Sequence, residues 1–138
     1  MEEILEEYKN NGHFFFEKGM KLSEVSKDVQ EAPGVYVIHK LAKGKIKLVY
    51  IGKSGTIGQN GKFKAQLLRK RLNNKQDGVA RQKYFEEKIE KEDIDALDIY
   101  WYVTFDENNQ DIPAFVEAQL LQLHYDMYGE LPIWNKGF

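Results

Sequence analysis

The chain reads as an α+β domain in which helices pack on a small antiparallel sheet of three strands. Three observations predict this. Two runs, Val35 to Leu41 and Lys45 to Ile51, flank the turn Ala42-Lys43-Gly44 and read as a hairpin. A later run sets Leu97, Ile99, Trp101, Val103 and Phe105 in strict alternation with Asp98, Tyr100, Tyr102 and Thr104, the period of a half-buried strand. The segments between and after these strands carry apolar residues at helical spacing.

The elements follow in order. Residues 3 to 10 suit a short helix with Ile4, Leu5 and Tyr8 on one face; Asn10-Asn11-Gly12 stops it, and Phe14-Phe15-Phe16 anchors the segment to the body. Leu22 to Val29 suits a second short helix, and Pro33-Gly34 opens the hairpin. A loop with Gly52, Gly55, Gly58 and Gly61 comes next. It leads into a helix from Lys62 to Asn73, whose apolar set is Phe63, Leu67, Leu68 and Leu72, and then into an amphipathic helix from Val79 to Lys91. The last helix, Ile112 to Tyr128, has Asp111 as N-cap, Pro113 in its first turn and Gly129 as its stop. The expected order is β-β-α-α-β-α over residues 33–138, after a helical extension of residues 1–32. A length of 138 residues fits a single domain.

Composition narrows the function. At 42% hydrophobic and 13% aromatic the chain can build a real core. Zero cysteines exclude a disulfide, a thiolate zinc site and a cysteine nucleophile. No apolar run is long enough to span a membrane, and the acidic segment Met1 to Glu7 is unlike a signal peptide, so a cytoplasmic setting is expected. The net charge of −2 hides a segregated distribution. Lys43, Lys45, Lys47, Lys53, Lys62, Lys64, Arg69, Lys70, Arg71 and Lys75 fall in a stretch without a single Asp or Glu, and the acidic residues lie to either side. Such a field suits phosphate; an ordinary solvated lysine face has the same look.

Five residues carry possible chemistry. Tyr36 and Tyr50 sit on the two hairpin strands and can approach one another across the sheet. Lys53 follows Tyr50 closely, and a cation there favours the phenolate, which otherwise forms only near pH 10. Arg71 lies four residues after Leu67 and three after Leu68, inside the apolar stripe, whereas Arg69 belongs on the polar side with Lys62. A guanidinium aimed at the body needs an anionic partner, either a phosphate or a structural carboxylate. Glu117 is the one carboxylate between Asp111 and Asp126, with Leu120 and Leu121 as its helix neighbours. It is either salt-bridged or a metal ligand.

The tripeptides Gly34-Val35-Tyr36 and Tyr50-Ile51-Gly52, followed by a basic helix, resemble the GIY-YIG nuclease family over roughly Pro33 to Asn135. The resemblance implies a GIY-YIG-like fold and a divalent-metal-dependent endonuclease that hydrolyses phosphodiester bonds with a single ion. It implies that Arg71 holds the scissile phosphate, that Glu117 holds Mg²⁺ (or Mn²⁺), and that Asn135 supports the site. Tyr50, or Tyr36, then deprotonates or orients the attacking water, aided by Lys53. The expected partner is double-stranded DNA, met by Lys53, Lys62, Lys64, Arg69, Lys70 and Lys75, and sequence-specific cutting by so short a chain would call for a homodimer or a larger loop insertion. One departure stands out: family members commonly carry histidine or tyrosine one helical turn after the arginine, and here that position is Lys75. Two other classes compete: a non-catalytic nucleic-acid-binding module, and a protein-interaction domain using Tyr100, Trp101 and Tyr102.

Overall fold

The hairpin turn is the tightest local constraint. Lys43 and Gly44 both adopt left-handed angles (φ 53° and 73°), as a two-residue turn that matches strand twist requires. This turn joins the two longest strands of the computed structural model, which describes residues 1–64 and 67–138. The elements are α1 (Glu2–Leu5), β1 (Asn11–Phe16), α2 (Leu22–Val25), β2 (Gly34–Ala42), β3 (Lys45–Ser54), β4 (Thr56–Ile57), β5 (Phe63–Lys64), α3 (Leu68–Asn73), β6 (Lys75–Gln76), β7 (Val79–Ala80), α4 (Arg81–Lys91), β8 (Ala96–Val103) and α5 (Pro113–Tyr128). The main sheet is antiparallel, in the order β1-β8-β2-β3, with β4-β5 and β6-β7 as two-residue ladders.

Cross-strand register assigns the two faces. Tyr36 lies opposite Trp101 and Ile38 opposite Ile99, and these side chains join Leu97 and Val103 in one core beneath α2, α3 and α4. Leu68 and Leu72 of α3 and Phe85 of α4 are fully buried there. Val35, Val37 and Ile51 face the other way, packing on Leu5 of α1 and on Val116, Leu120 and Leu121 of α5. The result is a three-layer arrangement, helices on both faces of one sheet.

Several expectations are corrected. The sheet has four strands, because residues 11–16 form an edge strand on β8 rather than part of a helical extension. Phe14 and Phe16 turn toward the core while His13 and Phe15 turn outward, an alternation that three consecutive phenylalanines conceal. The N-terminal helix is one turn long, and buried Tyr8 donates to Asp111 Oδ2 at 2.6 Å. Asp111 is therefore occupied; the N-cap of α5 is Ile112, with no side-chain cap, while Pro113 and Gly129 (φ 73°) take their expected places. The basic helix begins at Leu68 and not Lys62, since Phe63 and Lys64 pair with Ile57 and Thr56. Positions 65 and 66, within the expected helix, lie outside the described residues. Helix α4 starts at Arg81 because Val79 and Ala80 pair with Gln76 and Lys75. Trp101 is only 7% exposed, so it lends no aromatic surface to a protein partner. Among the described residues no helix is long and apolar enough to cross a membrane.

Two glycines are steric requirements. A Cβ on Gly34 would collide with the Tyr102 carbonyl, and one on Gly52 would lie 2.5 Å from the Tyr36 ring and 2.7 Å from the Tyr50 ring. Gly52→Ala is expected to lower stability by about 1–3 kcal/mol, because both aromatic rings must shift. Gly137→Ala, with open space around it, serves as the neutral control. Thermal unfolding of the two variants checks this, and equal melting points would contradict it.

Candidate active site

A β-bulge decides where Tyr50 points. Ile38 pairs with Tyr50, but His39 pairs with Leu48, which leaves Val49 as an extra residue on β3. An unbroken register would put Tyr50 on the face of Leu48, beneath α5. The extra residue returns it to the face of Ile38 and Tyr36, so both tyrosines pack in the same core. Their rings lie 5.8 Å apart, tilted by 31°, over the backbone of Gly52.

Where β3 leaves the sheet, a cavity of about 260 Å³ opens. Tyr50, Lys53, Ser54, Gly55 and Thr56 line it, together with Arg71 from α3 and Glu117 from α5. Arg71 descends from one helical layer and Glu117 from the other, so the strand end is where the two layers meet. Gly55 (φ 89°) makes the turn that ends β3. Helix α3 is held there by backbone and side-chain contacts to the preceding segment: Leu68 N–H donates to the Ala32 carbonyl at 3.1 Å, and Lys70 N–H to Glu31 Oε1 at 3.2 Å.

The electrostatics of the cavity are mixed. Glu117 is half-buried and has no hydrogen-bond or ion-pair partner among the described residues. Burial raises its pKa above the ordinary carboxylate value, opposed by the charges of Lys53 and then Arg71. Burial likewise raises the Tyr50 phenol, and Tyr36 raises it further, while Arg81 and Arg71 pull it down. Lys53 thus lowers the Glu117 carboxyl, and the charges that lower the Tyr50 phenol are those of Arg81 and Arg71. Among the described residues no group of three or more His, Cys, Asp or Glu side chains could form a metal cluster. A single half-buried carboxylate facing an open cavity does fit a hard divalent ion that completes its shell with water.

Two of the expected residues stand behind the cavity. Tyr36 is fully buried, and its hydroxyl accepts from Arg81 Nη1 at 3.1 Å. Asn135 grips β3 from outside: its Oδ1 accepts from Ile51 N–H at 3.0 Å and its Nδ2 donates to the Ile51 carbonyl at 2.9 Å. With Trp134 N–H donating to the Val49 carbonyl at 2.9 Å, the tail covers the open edge of β3 through the bulge to the residue beside Tyr50. Lys62, Lys64, Lys70 and Lys75 are exposed, and Arg69 lies 3.8 Å from Glu31. Lys75 is off the helix altogether, in the β6-β7 ladder, so it does not extend one turn beyond Arg71.

Arg81 is absent from the residues singled out by sequence. It is fully buried, and among the described residues its Nε and Nη2 have no partner. The signal was available: Arg81, Phe85 and Ile89 recur at four-residue spacing with Tyr84 beside them, so the cation falls on the apolar stripe, as Arg71 does. His39 faces elsewhere, into a larger cavity of about 670 Å³ beneath α1 and α5. No Lys or Arg lines that cavity, and Glu2 and Glu6 do, so it does not suit phosphate.

Comparison of the chain with models of known protein families, with curated proteins and with solved structures finds no match in any of the three.

Glu117 has a consequence for stability. A carboxyl whose folded-state pKa is raised favours folding at pH below its ordinary value, and that contribution is lost as pH rises through the folded value. At neutral pH its charge thus opposes folding. Glu117→Gln is expected to melt above the parent at pH 7, with the difference vanishing below about pH 4. Melting curves at the two pH values check this; a lower melting point at pH 7 would show that the carboxylate is a structural partner.

Proposed function

We propose that this chain is a divalent-metal-dependent endonuclease of the GIY-YIG kind that hydrolyses DNA phosphodiester bonds at the Tyr50–Lys53–Arg71–Glu117 cavity. The observation that carries the reading is the convergence itself. A phenol, two cations and an unpartnered carboxylate, brought from β3, α3 and α5, line one cavity of about 260 Å³. Phosphodiester hydrolysis needs a proton acceptor, charges matched to a phosphate and a place for a divalent ion.

In this account Arg71 grips the non-bridging phosphate oxygens with its fork of N–H donors, and Lys53 adds a point charge. Tyr50, the phenol that reaches the cavity, takes a proton from water as ionised oxygen. The water oxygen forms its bond to phosphorus while the bond from phosphorus to the leaving nucleotide oxygen breaks, and that oxygen is protonated by solvent. Tyr36 supports Tyr50 from the core, and Asn135 holds the strand that carries it. Mg²⁺ or Mn²⁺, held by Glu117 and water, supplies positive charge against the developing charge on the phosphate and leaving oxygen. Exposed Lys62, Lys64, Arg69, Lys70 and Lys75 extend the positive surface along the duplex. A homodimer remains part of the proposal only for sequence-specific cutting.

The raised Tyr50 pKa and, among the described residues, the lack of a second base lining the cavity with Arg71 favour a second reading: a nucleic-acid-binding module that does not cut. Plasmid nicking in Mg²⁺ or Mn²⁺ separates the two. The parent is expected to nick, and Glu117→Gln and Arg71→Ala to lose at least about a hundredfold in rate, the scale of one lost transition-state charge. Because the Tyr50 phenol lies above its ordinary value, the rate should climb by about tenfold per pH unit between about pH 7 and 9 without a plateau. Intact plasmid with either metal, alongside salt-sensitive DNA binding, would sink the nuclease reading in favour of the second.

A further inference from the structure

Among the described residues the guanidinium of Arg81 meets no carboxylate. Its side chain is fully buried in the core under α4, and among the described residues Nε and Nη2 have no hydrogen-bond partner. One oxygen is within reach, the Tyr36 hydroxyl, at 3.1 Å from Nη1. The cation also sits 5.6 Å from the centre of the Tyr36 ring and 5.8 Å from that of Phe85, which offsets part of its lost hydration. A buried charge so poorly paired costs stability, and an apolar residue of similar volume would avoid that cost.

We infer that Arg81 is the positioning cation of the tyrosine pair: from inside the core it orients the Tyr36 hydroxyl and supports the negative charge on which Tyr50 receives the proton of water. This rests on the proposed role of Tyr50 as base. A guanidinium donates and never accepts, so the Tyr36 oxygen gives a lone pair to Arg81 and its hydroxyl hydrogen turns away. The neighbouring phenol is Tyr50, with its ring 5.8 Å from that of Tyr36. Tyr50 alone of the two lines the cavity. The contacts thus run from Arg81 to Tyr36 to Tyr50 to the cavity.

The other groups around the pair do not replace this cation. Arg81 pulls the Tyr50 phenol down more than Arg71 does. Lys53 and Glu117 line the cavity in front of Tyr50. Tyr84 shares α4 with Arg81; burial, then Asp77, with smaller contributions from Glu92 and Tyr36, hold its phenol at about 12 against the pull of Arg81, so it remains a neutral neighbour. When Tyr50 accepts a proton its oxygen passes from anion to neutral phenol. The charge that had held the anion stays in the core, needing no metal and no substrate.

The test reads the phenolate directly and does not depend on DNA cleavage. Acetylation by N-acetylimidazole at about pH 9 reports the ionised fraction of each tyrosine, and peptide mass spectrometry assigns it. Exposed Tyr125 and Tyr128 act as internal references. In Arg81→Met, modification of Tyr50 is expected to slow by about tenfold, the effect of one pKa unit, with the references unchanged and the melting point at or above the parent. Arg81→Lys, which keeps a cation, is expected to recover most of the rate. An unchanged Tyr50 rate in folded Arg81→Met overturns the inference. Loss of the fold in both Arg81→Met and Arg81→Gln also overturns it, because the guanidinium is then a structural group. Failure of plasmid nicking with a slowed Tyr50 would reject the nuclease, and with it the catalytic use of the charge, and leave standing only the coupling of Arg81 to the Tyr50 phenol.

Discussion

Two aromatic rings resting on a backbone with no side chain of its own hold the site together. The rings of Tyr36 and Tyr50 occupy the space that any Cβ at Gly52 would need. That packing requires both tyrosines on one face, which the bulge at Val49 provides by shifting the register of β3 by one residue. Once Tyr50 is on that face, the next turn of chain carries Lys53 and Gly55 to the end of the sheet, where α3 and α5 approach from opposite sides. Asn135 secures the arrangement from the edge by occupying both backbone groups of Ile51, adjacent to Tyr50. A one-residue slip in β3 would point Tyr50 toward α5 and dissolve the cavity.

The charged residues show the reverse economy, in which the fold tolerates what folding alone would discard. Glu117 has no partner among the described residues and a carboxyl pKa raised by burial. Arg81 is buried without a carboxylate. Stability alone would replace both with apolar residues, and local conflicts of this kind concentrate where side chains are kept for chemistry. The two groups differ in placement. Glu117 opens on the cavity, where the proposed ion and substrate would reach it, while Arg81 is sealed in the core against Tyr36, through which it acts in the proposal.

Much of this was legible in the sequence, and what was missed has physical reasons. Strict alternation marked β8, turn chemistry marked the hairpin, and stripe geometry distinguished Arg71 from Arg69. Glu117 was recognisable as a lone carboxylate on an apolar helix. The edge strand β1 was hidden because Phe14, Phe15 and Phe16 give a continuous apolar run in which alternation cannot be seen. The bulge was invisible because one extra residue in a strand leaves no local signature, only a mismatch between partners. Asp111 looked like a cap because its long-range partner Tyr8, 103 residues away, lies beyond any local rule. Arg81 is a different case: its four-residue spacing to Phe85 and Ile89 sets it on the apolar stripe of α4, as legible in the sequence as the position of Arg71.

The most direct measurement of the central claim is a crystal structure of the protein with Mn²⁺ and a short DNA duplex. The account predicts an anomalous manganese peak at the Glu117 carboxylate, with a backbone phosphate against Arg71 and Lys53 and a water between that phosphate and the Tyr50 hydroxyl. A duplex lying on the exposed lysines with no phosphate or metal in the cavity would contradict it.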